Sequence, residues 1–314
     1  MEGLRIPVGE WSEAAVDWMR DNLSWLLSAI STALSWVVES LVDVLLGGPI
    51  VVVIIVAALL GWLVRSWQFA LGTVASFAFV FAMGQWVPAM QTLALVLVAT
   101  LIAVVIAVPV GIWAARNDRV SAAVKPVLDL MQTMPGLVYL IPAIVFFSIG
   151  VVPGLVATVI FALPPGVRLT ELGIRGVDAE TVEAGHAFGA TPGQILRGIQ
   201  LPLAMPTIMT GVNQVIMLAL SMAVIAGMAG ADGLGKEVVQ AMSTVNIARG
   251  AEAGLSVVLV AVYLDRLTAA LGDLRGQTSS LRTGIARRRR PQTSMPAPVA
   301  AVDEEVERRL QPTP

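Results

Sequence analysis

No cysteine occurs among the 314 residues. Disulfides, thiolate nucleophiles and thiolate metal sites are therefore excluded. Charge is also scarce: Asp, Glu, Lys and Arg make up 13% of the chain, against 56% hydrophobic residues and a mean hydropathy of +0.80. A soluble domain cannot hide that much apolar surface, so the composition points to an integral membrane protein. Histidine occurs once, at His186. A lone imidazole with no partner acid, nucleophile or second ligand reads as a surface or interface group, not as a catalytic one. The phosphate loop GxxxxGK[ST] is missing, as are HExxH and GxSxG. ATP binding by that route and two common hydrolase chemistries go with them. No catalytic residue, no metal site and no nucleic-acid partner is expected. The N-terminus lacks the charged region, short apolar run and cleavage site of a signal peptide.

What the chain has is long apolar stretches. A bilayer core of about 30 Å needs about 20 residues of helix. Seven stretches approach or meet this, at 49–64, 67–84, 89–114, 127–149, 151–168, 203–227 and 252–270. Each must be helical or buried in protein, because lipid cannot satisfy backbone polar groups. The expected fold class is all-α, with about seven transmembrane helices and an amphipathic N-terminal helix. Pro135 and Pro142 should kink the fourth.

Orientation follows the basic residues. Arg65, the group Arg116, Arg119 and Lys125, the group Arg168, Arg175 and Arg197, and the tail arginines from Arg275 to Arg290 all fall on one side if seven helices alternate. That side is expected to be the cytoplasm, with the N-terminus outside and the C-terminus inside. The connections Gln85–Pro88 and Ile149–Pro153 carry no Lys or Arg; the exception is Gly227–Gly250, with Lys236 and Arg249. Residues 1–48 form a separate segment. Trp11, Trp18 and Trp25 recur at intervals of seven, with Trp36 beyond. That spacing places the first three near one helical face and suits a helix lying on the outer leaflet, or one packed on the protein or a second copy. Residues 272–314, with Arg287–Arg290 and a late acidic run, read as a solvated cytoplasmic tail that anchors topology or meets anionic headgroups.

One polar loop interrupts the apolar blocks. "GVDAETVEAGHAFGA" reads as a short helix capped by Asp178 or Thr181, acidic at its start and ended by Gly189. "TPGQILRGIQ" can start a second helix, with Thr191 as cap and Pro192 in the first position. Pro202 then precedes the next membrane segment. The expected unit is a helix–turn–helix lying across the inner face.

Within it, Glu183-Ala184-Gly185, then Gly189 after three intervening residues, then Ile199-Gln200-Leu201-Pro202 after nine more, match a spaced pattern. The pattern is E-A-A, three residues, G, nine residues, I-x-L-P. It resembles the cytoplasmic signature of ABC importer permease subunits, with Gly185 where a second Ala is commoner. The stretches 131–150, 200–238 and 252–271 resemble the glycine betaine/proline branch of that family. The resemblance covers about 88–271 and implies a type I importer permease core there. Residues 49–87 would be two accessory membrane helices. It further implies a coupling loop at 171–202 in which Glu183, Ala184, Gly185, Gly189, Ile199, Leu201 and Pro202 serve ATPase coupling. The implied setting is a bacterial or archaeal inner membrane. The implied partners are ABC ATPase subunits, which hold the ATP and Mg, an extracytoplasmic substrate-binding protein, and a second permease copy. The chain itself has no aromatic-rich soluble domain that could box a quaternary ammonium group, so capture would fall to the binding protein.

Polar groups at membrane depth face the bundle interior. Asn213, Gln214 and Ser221 in the sixth segment, with Met131, Thr133 and Tyr139 in the fourth, are expected to line a translocation path or to make helix–helix hydrogen bonds. Gly230, Gly233 and Gly235 are expected beside an outer gate. Asp129 is expected to pair with Lys125 one helical turn away. Choline, carnitine or another small zwitterion would suit the same machinery as glycine betaine or proline. An intramembrane enzyme would need paired acids or a serine with a base at one depth, and no such pair is found. An ion-coupled secondary transporter would show internal repeats and intramembrane charges, and neither is evident.

Overall fold

A computed structural model describes residues 8–272. Residues 1–7 and 273–314, and with them the arginine-rich tail, lie outside that range. The order is α1 (Val8–Leu46), α2 (Ile50–Val64), α3 (Trp67–Ala82), α4 (Trp86–Arg116), α5 (Asp118–Thr133), α6 (Gly136–Phe147), α7 (Val151–Arg175), α8 (Ala179–Ala187), α9 (Pro192–Ile195), α10 (Leu201–Ala226), α11 (Leu234–Ser243) and α12 (Ile247–Gly272). A π-helical turn, Leu196–Gln200, and a 3₁₀ turn, Gly227–Ala229, flank α10. All seven apolar stretches are helical. Among the described residues five helices are long and apolar enough to cross a membrane, and six if α5 and α6 count as one broken span; α2 and α3 are shorter apolar helices.

The helices stop where local chemistry stops them. Gly47-Gly48-Pro49 ends α1. Ser66 Oγ accepts from the Phe69 N–H at 3.3 Å and starts α3. Asn117 Oδ1 accepts from Arg119 N–H at 3.0 Å and starts α5. The fourth stretch differs most from expectation. It is not one kinked span but two helices meeting at 98°. Pro135 forbids helical geometry at Met134, which sits at φ −75°, ψ 132°. Pro142, by contrast, lies inside α6 without breaking it.

The bundle centre is α4, α7 and α10. Leu95, Val96, Leu155, Val215 and Ala219 are buried there in one apolar cluster. Small residues let the backbones close up, since without a hydrophobic drive between helices in lipid, association rests on close packing. A Cβ on Gly111 would lie 2.7 Å from the Val167 carbonyl oxygen, and one on Gly166 would lie 2.8 Å from Ala107 Cβ. The hairpin α2–α3 and the end of α12 lean on this centre through Phe69, Phe77 and Tyr263, whose rings stack or meet edge to face. Helix α1 departs from helical geometry at Leu23 (φ −113°, ψ 16°). Beyond that point Val38 joins the core cluster, while Trp11, Trp18, Trp25 and Trp36 stay exposed. By length and composition α1 is among the helices able to cross a membrane.

Candidate functional site

The polar loop folds into a small module on one end of the bundle. Asp178 Oδ1 accepts from the Glu180 N–H at 2.8 Å and opens α8. The helix closes at Gly189, whose φ of +78° is costly for any residue with a Cβ. Ala190 N–H then donates to Gly185 O at 3.1 Å, satisfying a late carbonyl. Thr191 N–H donates to Gln194 Oε1 at 2.8 Å, and Pro192 enters the first turn of α9. The expected second short helix is not separate. It runs through the π turn, where Leu201 N–H donates to Leu196 O, into α10. Pro192–Ala229 is one 38-residue helix. The π turn sits just before Pro202, whose missing N–H would otherwise leave a gap in the ladder.

The module has two faces. Gly185 is buried, and a Cβ there would lie 2.7 Å from Ile199 Cδ1 and 3.4 Å from Ile195 Cγ1. Gly185 and Ile199 thus hold α8 to the start of the long helix and do not face outward. Leu201 packs on the cluster of Ile174, Leu196, Ala204 and Ile208 beneath. Pro202 is exposed on the long helix. The outward face carries Glu183, Ala184, His186 and Gly189. Phe188, not singled out by the sequence, projects from it 92% exposed. It is the one aromatic residue between 176 and 202, and that isolation was the available signal.

An ion network ties this end of α7 to the elbow between α4 and α5. Glu171, only 6% exposed, accepts from Ser121 Oγ at 2.7 Å and pairs with Arg175 Nε at 3.0 Å and Lys125 Nζ at 3.8 Å. Arg175 also pairs with Asp118 at 2.7 Å and donates to the Ala114 carbonyl at 2.8 Å. Asp129 does not pair with Lys125 as expected; its partner is Arg168. Lys125 instead reaches Glu171, because α7 packs alongside α5 and supplies a more enclosed carboxylate. Glu171 carried no sequence signal: one acid near a span end resembles any other.

The six residues expected on a path separate. Tyr139 is buried, and its hydroxyl donates to the Met131 carbonyl at 2.6 Å across the 98° elbow. Its ring meets Phe161 edge to face. Thr133 is exposed and bonds back to Leu130 O at 3.0 Å. Asn213 bridges α10 and α12, donating to Asp265 Oδ1 at 3.0 Å and accepting from Thr268 Oγ1 at 2.6 Å. It therefore makes the helix–helix bond, the other role foreseen for it. Gln214 and Ser221 are exposed on α10, in line with Thr210 and Met217 on one face.

At the opposite end, the glycine-rich turn after α10 is pressed into the bundle. Gly230 and Gly233 have φ of +84° and +130°. A Cβ on Gly235 would lie 2.5 Å from the Ala223 carbonyl oxygen. Leu234 N–H donates to Thr92 Oγ1 at 2.7 Å, and Gly150 N–H to Ala229 O at 3.0 Å, so the turn is latched to α4 and to the start of α7. The two basic residues of the segment 227–250 are each paired. Lys236 meets Asp232 at 2.7 Å, and Arg249 meets Glu237 at 2.7 Å. The hydrogen bond and the charge of Asp232 hold the Lys236 ammonium above its ordinary pKa.

Comparison with known proteins follows the same lines. A family described as binding-protein-dependent transport system inner membrane component matches residues 107–273. The glycine betaine transport system permease protein OpuAB of Bacillus subtilis is 48% identical over 264 residues, which is 84% of this chain and 94% of OpuAB. The glycine betaine/proline betaine transport system permease protein ProW of Escherichia coli is 45% identical over 85% of this chain and 75% of ProW. The glycine betaine/carnitine transport permease protein GbuB of Listeria monocytogenes is 45% identical over 84% of this chain and 95% of GbuB. Among solved structures, the MetNI methionine ABC transporter in an inward-facing conformation superposes with a TM-score of 0.52 at 26% identity, covering 60% of this chain and 92% of that one.

Proposed function

The chain belongs to the family of binding-protein-dependent transport system inner membrane components, and on that footing we propose that it is the membrane-spanning permease of an ATP-driven importer of glycine betaine and close relatives. Three of the most similar relatives carry glycine betaine in their names, paired in two cases with proline betaine or carnitine. The substrate class is thus a small zwitterion with a methylated ammonium group. A binding protein delivers it to the outer face. Two ATPase subunits, which hold ATP and Mg, close and push on the coupling loops. The bundle then opens outward, takes the solute and resets inward, so that the path faces one side at a time. The chain performs no hydrolysis itself.

The observation that carries this reading is the exposed α8, held from below and offering Glu183, Ala184 and Phe188 outward. A rigid short helix joined by tight turns to α7 on one side and to the 38-residue helix Pro192–Ala229 on the other can transmit a push. The reading includes a second copy of the chain. Thr210, Gln214, Met217 and Ser221 form an exposed, partly polar face on α10. Lipid tolerates such a face poorly, whereas a path shared between two copies suits it. It also includes an orientation: the α8 end faces the cytoplasm, the N-terminus lies outside, and α1 braces or overlies the outer side.

Co-purification from membranes with the partner ATPase tests the reading. Wild type should retain the ATPase; Gly189→Asp and Phe188→Asp should lose it. Nothing lies within 4 Å of a Cβ at Gly189, so the aspartate strikes no neighbour, but the φ of +78° strains the turn; Phe188→Asp adds charge to the same surface without that strain and is the deciding arm. Equal retention by all three would sink the coupling assignment.

A further inference from the structure

A second polar site lies away from the coupling loop and from α10. It is a cleft of about 350 Å³ between the start of α3 and the last turns of α12. Two guanidinium groups line it, Arg65 and Arg266. Neither has a carboxylate partner of good geometry among the described residues. Arg65 makes no ion pair and lies 6.0 Å above the Phe69 ring. Arg266 approaches Asp265 Oδ2 only to 3.9 Å, and Asp265 already accepts from Asn213. Two guanidinium groups with no close carboxylate converging on one cleft suit an anion, and the guanidinium fork matches phosphate oxygens.

The cleft is graded in depth. Near its mouth stand Arg65, Ser66 and Gln68 from the start of α3 and Arg266 from α12. One to two turns deeper along the same helices the lining becomes Gly72, Val262 and Leu259, with Ser76 and with Thr73 and Tyr263, whose hydroxyls are held by the Phe69 and Ala57 carbonyls. Both charges stand at one level and none below it, where Val262 and Leu259 offer an apolar flank, and that gradient suits a lipid better than a soluble anion. The mouth lies on the α8 side of the bundle. The end of α12 packs against the first third of α10, where a Cβ on Gly272 would lie 3.0 Å from Met209 Cβ. Arg266 is six residues, or about 9 Å, above that end. We propose that Arg65 and Arg266 bind the phosphate of an anionic phospholipid from the leaflet on the coupling-loop side, with an acyl chain running along Val262 and Leu259.

Removing the arginines leaves Asp265 its hydrogen bond from Asn213, so variants should fold. The test is native mass spectrometry of the full chain, purified in mild detergent and titrated with phosphatidylglycerol or with phosphatidylcholine of the same chains. Wild type should bind one phosphatidylglycerol in preference to phosphatidylcholine. Arg65→Gln/Arg266→Gln should bind it about thirtyfold more weakly, taking ~1 kcal/mol for each basic residue at an anionic surface. Gly72→Leu tests the same cleft by filling it, since a Cβ at Gly72 meets nothing within 4 Å; it should weaken binding without changing charge. Arg119→Gln, exposed on α5, should change nothing, and the tail arginines are common to every sample. Unchanged affinity in both cleft variants, or equal binding of phosphatidylcholine, overturns the proposal. Equal binding of glycerol 3-phosphate, which has the headgroup chemistry and no chains, overturns the lipid and leaves a soluble-anion site.

Discussion

Phe188 offers a quantitative test of how the loop engages its partner. The ring is 92% exposed, so it contributes almost nothing to the fold that presents it. Its value lies in what it would bury on docking. A phenylalanine brings about 150–250 Å² to a contact, and full burial of such a side chain is worth roughly 1.5–3 kcal/mol. Phe188→Ala should therefore weaken binding of the ATPase by about 2 kcal/mol, or roughly thirtyfold in Kd. Thermal inactivation of the permease alone in detergent should not move. The assay is a titration of purified ATPase onto permease held in nanodiscs, at fixed nucleotide, with transport of labelled glycine betaine measured in parallel. Wild-type affinity in Phe188→Ala would show that the exposed ring is not the anchor and that α8 docks by backbone and small residues alone. A fall in stability matching the fall in affinity would refute the premise that Phe188 is free of its own chain.

Other substitutions separate the inner and outer faces of the module. Gly185→Ala should be close to neutral in transport: the new Cβ meets Ile199 Cδ1, a movable methyl, and alanine favours helix by about 1 kcal/mol. Gly185→Leu should instead lift α8 and abolish ATPase retention. Glu171→Leu should lower the midpoint of thermal inactivation through a loss of about 1–2 kcal/mol, because Ser121 loses its acceptor while Arg175 keeps Asp118; Glu171→Gln should lose less. Gly235→Ala should impair membrane accumulation or transport far more, since its Cβ would strike backbone atoms of Ala223 and Val224 that cannot yield. Asn213→Leu should cost about 1 kcal/mol, the usual scale of an interhelical hydrogen bond in a membrane, and leave ATPase retention intact.

The features legible in the sequence were those decided within a few residues. Asp178 and Thr191 start helices and Gly189 ends one because caps and left-handed turns depend on the residue and its neighbours. The apolar stretches were equally plain, since bilayer thickness sets their length. What escaped was decided by distant contacts. The 98° break follows from a proline effect that sequence can locate but not size. The partner of Asp129 depends on which helix lies beside α5. Gly185 points inward because α8 folds back on Ile199, fourteen positions later. For Asn213 two roles stayed open, path lining or a bond between helices, and only its contacts with α12 decide for the bridge.

The π turn at Leu196–Gln200 has a consequence for the lengths this chain can tolerate. A π turn holds one residue more than the α-helical ladder would in the same span. Elsewhere in the 38-residue helix, losing one residue would rotate everything beyond it by about 100° and shift it by about 1.5 Å. That would set α8 out of phase with the bundle. Here alone a deletion can be absorbed by reverting to ordinary helical pitch, with both ends kept in register. The turn acts as slack in an otherwise rigid rod, and Leu196–Gln200 is the stretch where a one-residue shortening should leave import running.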